Sequence, residues 1–237
     1  MPYDHELNNT YDSIQELPLN FEREHREVVQ LVHDYRMFWK PPRHVDICLL
    51  AESHKYTDWE ITQYEHEFNE LPEYPHRYVR FVYCLSYGAS HRVNLPPVIN
   101  NNGTWQFWNL FNESVHGEYR VTHNTNQEDK IQQKIALLRQ MQNQGIWLLD
   151  ASIMGLCRIS AGSDEYDSIM QRSLNNYCLP IIRDIHPERI IVVGKMVYDR
   201  LLRFVNDDFI NQFHLEWIHQ PNEKLRTANR KKLADIL

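Results

Sequence analysis

Three stretches of this 237-residue chain are nearly unbroken in apolar residues: 45–51 (VDICLLA), 145–151 (GIWLLDA) and 189–194 (RIIVVG). A strand reads this way when helices cover both its faces, because an exposed face would alternate polar with apolar residues. A fourth short run, 214–219 (HLEWIH), completes the set, and helical spacing separates the runs, notably over 129–142, 168–174 and 195–204. The alternation predicts an α/β fold, a parallel sheet in a three-layer α/β/α sandwich whose ligands bind at the carboxyl ends of the strands.

Upstream, Val28, Val29, Leu31, Val32, Tyr35 and Phe38 give residues 21–39 a helical period, which Pro41-Pro42 ends. The first 20 residues are polar and expected to be loosely held. With 42% hydrophobic residues and neither repeat nor low-complexity linker, the chain is expected to form one domain over residues 1–237. No run approaches the ~18 apolar residues of a membrane span, and the start lacks the basic-then-apolar order of a secretory signal, which points to the cytoplasm.

The net charge of −7 excludes bulk attraction to nucleic acid, so any such contact needs a local patch. Residues 181–237 carry 10 Lys and Arg against 8 Asp and Glu, while residues 1–180 carry 15 against 24. Lys224, Arg226, Arg230, Lys231 and Lys232 cluster near the end. The 4 cysteines form no CxxC pair and the 13 histidines no HExxH spacing, so no metal or other cofactor is expected. Cys48 reads as a buried thiol, and Glu65-His66-Glu67 as a solvated helix face.

Each apolar run gives way to polar residues at its carboxyl end. Glu52-Ser53-His54-Lys55-Tyr56 comes after the first, Asp150 and Ser152 after the second, Gly194-Lys195 after the third and His219-Gln220-Pro221-Asn222 after the fourth. Two carboxylates and a histidine at one rim suit acid–base and electrostatic work on a small planar group.

In order and position these segments resemble the motifs of the uracil-DNA glycosylase superfamily. Residues 51–55 (AESHK) resemble its first-strand motif of GQDPY or GEAPG type. Leu95-Pro96-Pro97-Val98, leading into 105–111, resembles an LPPSL-like segment. Residues 148–154 (LLDASIM) resemble LLLNAVLT, 190–194 a strand closed by glycine, and His219-Gln220-Pro221-Asn222 the HPSP motif. The likeness spans most of residues 45–232.

The resemblance implies a four-stranded parallel sheet in order 2-1-3-4 and hydrolysis of an N-glycosidic bond in DNA after base flipping. It implies His219 as the donor to the leaving base's O2, and Glu52 as the carboxylate that stabilises the sugar cation or holds water. Ser53 stands where Asp or Asn is common. Leu85 stands where a stacking Phe is expected, with Tyr83 and Tyr87 as substitutes, and Lys55 replaces the Tyr that blocks C5 substituents. Residues 54–83 exceed the compact family pattern, either shaping a larger polar pocket or elaborating the periphery. Lys195, Asn222, Lys224, Arg226 and Arg230 are candidate DNA contacts, and Leu225 a candidate wedge. No protein partner is predicted.

Asp150 falls where Asn commonly reads uracil's N3–H and O4. Cytosine offers the reverse pattern, which a protonated carboxyl group matches by accepting from N4 and donating to N3. Cutting ordinary cytosine would destroy the cell's own genome. The expected substrate is therefore a C5-modified cytosine, hydroxymethylated or glucosylated as in some bacteriophage DNA, excised in antiviral defence. Repair of uracil or a damaged base, a non-catalytic reader of modified DNA, and a nucleoside hydrolase are the alternatives.

Overall fold

A computed structural model describes residues 1–18, 20–116, 126–221 and 226–234. Strands β1 (Ile47–Ala51), β2 (Ile146–Asp150), β3 (Arg189–Val193) and β4 (His214–Ile218) form a wholly parallel sheet in the order β2-β1-β3-β4. The register sets Leu49 beside Leu148 and Ile191, and Ala51 beside Asp150, so the carboxyl ends finish together. Every residue of β2 is buried, as a strand covered on both faces requires. β4 lies at the sheet edge and is only partly buried, which explains its mixed composition.

The helices keep the expected alternation with shifted ends. α2 (Arg26–Phe38) begins five residues later than the spacing over 21–39 indicates, because the His25 side chain caps it by accepting from the Glu27 N–H. Glu24, left outside the helix, turns inward and is buried. α3 (Trp105–His116) comes after the Leu-Pro-Pro segment, and α4 (Gln127–Asn143) leads into β2. α5 (Asp164–Ser173) starts earlier than residue 168, since Ser163 caps the Tyr166 N–H and three acidic residues occupy its first turn. A π-helical turn over Leu174–Cys178 joins it to α6 (Leu179–Ile185). α7 (Lys195–Phe204) spans the residues its periodicity predicts, and α8 (Asp207–Gln212) and α9 (Arg226–Ala234) bracket β4.

Two expectations need correction. The polar N-terminus is ordered: α1 (Asp4–Gln15) buries Leu7, Thr10, Tyr11 and Ile14, a stripe at helical spacing. Glu65-His66-Glu67 is not a helix face. Glu65 pairs with Arg77 in an antiparallel bridge, and the buried His66 ring lies among Tyr35, Phe68 and Tyr74. The middle of residues 54–83 packs here, with Ile61, Phe68, Leu71, Tyr74 and Tyr78 buried. Among the described residues the buried apolar side chains other than Tyr56 form one continuous cluster, which includes Cys48. Among the described residues no helix is long and apolar enough to cross a membrane.

Candidate active site at the carboxyl rim

A cavity of ≈ 640 Å³ opens at the carboxyl ends of the strands. β1 supplies Glu52, Ser53, His54 and Lys55 just beyond its end, β2 its last residue Asp150, β3 Val193, and the segment after β4 Gln220 and Pro221. Phe81, Tyr87 and Phe107 add aromatic side chains, and Arg80 a cation. Gly103 in its wall lies back to back with Gly88: both have positive φ, and a Cβ on either would lie under 3.0 Å from the other's Cα.

Asp150 is buried at one end of the cavity, its Oδ2 accepting from Arg36 Nη2 at 2.9 Å, with both side chains almost wholly excluded from solvent. Arg36 also donates to the Tyr177 hydroxyl, which in turn meets His33 Nδ1 at 2.7 Å. His33 Nε2 lies 2.9 Å from the Pro2 carbonyl. The carbonyl can only accept, so Nε2 carries the proton and Nδ1 receives the tyrosine's. Burial, reinforced by Arg36, lowers the His33 pKa to about 4. For Arg36, burial opposes the charge, yet Tyr177 and Asp150 raise its pKa above the ordinary value. An arginine thus neutralises Asp150, where the sequence reading places a proton on the acid itself.

His54, also buried and lining the cavity, sits between two carboxylates. Its Nε2 is 2.7 Å from Glu24 Oε2, and its Nδ1 is 3.9 Å from Asp150 Oδ2. Glu24 accepts in addition from the N–H groups of Thr57 and Gly155. The rim carboxylate Glu52 accepts from the Tyr166 hydroxyl at 2.6 Å and from Gln220 Nε2 at 3.2 Å. Burial and then this bond to Glu52 raise the Tyr166 pKa, so the phenol stays a donor. Ser53 Oγ accepts from the Leu156 N–H.

The structure therefore brings together Glu52, Ser53, Lys55, Tyr87 and Asp150. Other residues singled out in the sequence lie elsewhere. Tyr83 and Leu85 are core residues, the Tyr83 hydroxyl accepting from the Leu148 N–H, and Phe81 takes the cavity position instead. The His219 ring packs edge-on against Trp217 at 4.8 Å and does not line the cavity, although Gln220 and Pro221 do. Lys195 is exposed and paired with Asp199. Asn222, Lys224 and Leu225 lie outside the described residues, and Arg226 and Arg230 are placed in α9 by backbone only.

Sequence reasoning missed Glu24 and Arg36, and placed His54 at the rim without giving it a role. Arg36 and His33 had a readable signal: both fall on the apolar stripe of α2 with Val29 and Val32, where a charge needs a partner. Glu24 had none, since it lies in a charged segment and its partner is remote in sequence. Among the described residues no group of three or more His, Cys, Asp or Glu is arranged to hold a metal ion. No family model, curated protein or solved structure matches the chain.

Proposed function

We propose that the chain is a DNA glycosylase of the uracil-DNA glycosylase kind, which excises a flipped cytosine-type base, C5-modified as in phage DNA, in antiviral defence. The observation that carries this reading is the rim cavity. It pairs a buried polar end, at Asp150, with aromatic side chains and a second, less buried carboxylate, Glu52, beside Gln220. A planar base stacks against such aromatics and turns its pairing edge to Asp150. The sugar then lies towards Glu52. As the bond from C1′ to the base breaks, the electron pair leaves with the base and positive charge grows on the sugar. Glu52, fixed by Tyr166 and Gln220, stabilises that charge, orients the water that adds to C1′ and takes its proton, which ends on the departed base. The cavity exceeds what a bare pyrimidine needs, which leaves room for a C5 substituent.

Duplexes carrying uracil, cytosine, 5-hydroxymethylcytosine or its glucosylated form, incubated with the protein and then cleaved with alkali at abasic sites, test the reading. Release of a C5-modified cytosine above all others is expected, and no strand cleavage with any duplex sinks it.

One observation favours a second reading, a reader of modified DNA that does not cut: the His219 ring rests on Trp217. Under the glycosylase reading that ring leaves Trp217 when DNA binds, and His219→Ala lowers the single-turnover rate by about 10²-fold or more. A reader retains selective binding and shows no turnover in either form.

A further inference from the structure

Among the described residues that line the cavity His54 is the one histidine, and its two ring nitrogens have separable duties. The Glu24 carboxylate already accepts from the backbone N–H groups of Thr57 and Gly155, so it meets His54 Nε2 as an acceptor too, and Nε2 carries the proton. Nδ1 is the atom left over. It is buried, has no hydrogen-bond partner among the described residues, and belongs to a side chain that lines the cavity. Across from it, at 3.9 Å, stands Asp150 Oδ2, anchored from behind by Arg36. That separation is too long for a direct hydrogen bond, yet one polar atom placed between them comes within bonding range of both.

We propose that His54 and Asp150 together read the edge of the bound base and select an exocyclic amino group where uracil carries O4. The nature of the ligand rests on the glycosylase reading; the pairing of the two residues rests on geometry. With Nδ1 unprotonated the pair presents two acceptors, and a single amino group satisfies both through its two N–H bonds. Both acceptors then face position 4, so a carbonyl there leaves buried groups unpaired and is rejected. Selection rests on that unprotonated ring, because a donor beside an acceptor would match uracil's O4 and N3–H as well as cytosine's N3 and N4. The neighbours of His54 are Glu24 ahead of α2, Asp150 on β2 and the ring of Phe81, 6.3 Å away. Asp150 needs no proton in this scheme, because the amino group supplies both donors.

The test is NMR of the histidine ring nitrogens in the full chain, with His54 assigned by comparison with His54→Gln. The protein is titrated with 2′-deoxycytidine and separately with 2′-deoxyuridine. Deoxycytidine should move the His54 Nδ1 signal and bind at least about tenfold more tightly than deoxyuridine, and Asp150→Asn should abolish that preference. Equal or stronger response to deoxyuridine, or no response of His54 to either nucleoside, overturns the proposal. The comparison of the two nucleosides' affinities uses wild-type protein alone, so a variant that fails to fold leaves that half of the test intact. The duplex excision assay is scored separately: no excision with the deoxycytidine response intact defeats the glycosylase reading and leaves the edge reader standing. Preferential excision of uracil defeats the edge reader and the cytosine-type substrate with it, and leaves a glycosylase standing.

Discussion

Arg36 and Asp150 are a buried ion pair, and such pairs hold a structure less by their attraction than by the penalty for breaking them. Removing the cation alone leaves a carboxylate, and also the Tyr177 oxygen, without its donor. Arg36→Met should therefore cost about 3–5 kcal/mol of stability, read from the denaturant midpoint. Arg36→Met combined with Asp150→Leu should recover part of that loss, because no charge is then stranded. If Arg36→Met alone costs under about 1 kcal/mol, water reaches the pair and the account of a sealed polar network fails. Asp150 was visible in the sequence because a strand end announces it. Its partner was not, because nothing local links residue 36 to residue 150.

At the scale of elements, the sheet was legible because continuous apolar runs are what a doubly covered strand demands. α1 was not read, though its stripe of Leu7, Thr10, Tyr11 and Ile14 has helical spacing, because the surrounding residues are so polar that composition outweighed period. Connections were harder still, since their shape depends on distant backbone. Gly155, in the loop after β2, shows why: a Cβ there would sit 2.4 Å from both Cα and N of Tyr56 in the segment after β1. The two connections pack backbone to backbone, and the Gly155 N–H donates to Glu24 at the same point. Gly155→Ala should force them apart, cost about 1–3 kcal/mol, and loosen Glu24 from His54. Deoxycytidine selectivity should fall along with the thermal midpoint. A variant as stable and selective as the parent would show that the loops adapt.

For the whole molecule, charge decides how the fold responds to its medium. His33 and His66 are buried and their pKa values are lowered by burial to about 4, from an ordinary value of 6.5. The unfolded chain therefore binds protons that the folded one refuses, so the contribution is complete above pH 6.5 and is lost as pH falls towards 4. Between pH 7 and pH 5 each should cost about 2 kcal/mol of stability, and His33→Gln or His66→Gln should flatten the dependence. At the other end of the chain, the basic run divides by structure. Asn229 brackets the backbone of His219, donating to its carbonyl and accepting from its N–H, which ties α9 to the rim. Within α9, Lys232 Nζ donates to the Trp217 carbonyl and lies over that ring, whereas Lys231 is exposed. If α9 meets DNA beside the cavity, Lys231→Gln should weaken binding to every sequence alike and reduce the slope of log affinity against log salt by about 0.9, with stability unchanged. Lys232→Gln should do the opposite, lowering stability through the lost tie to β4. Equal salt slopes for Lys231→Gln and the parent would show that Lys231 makes no phosphate contact.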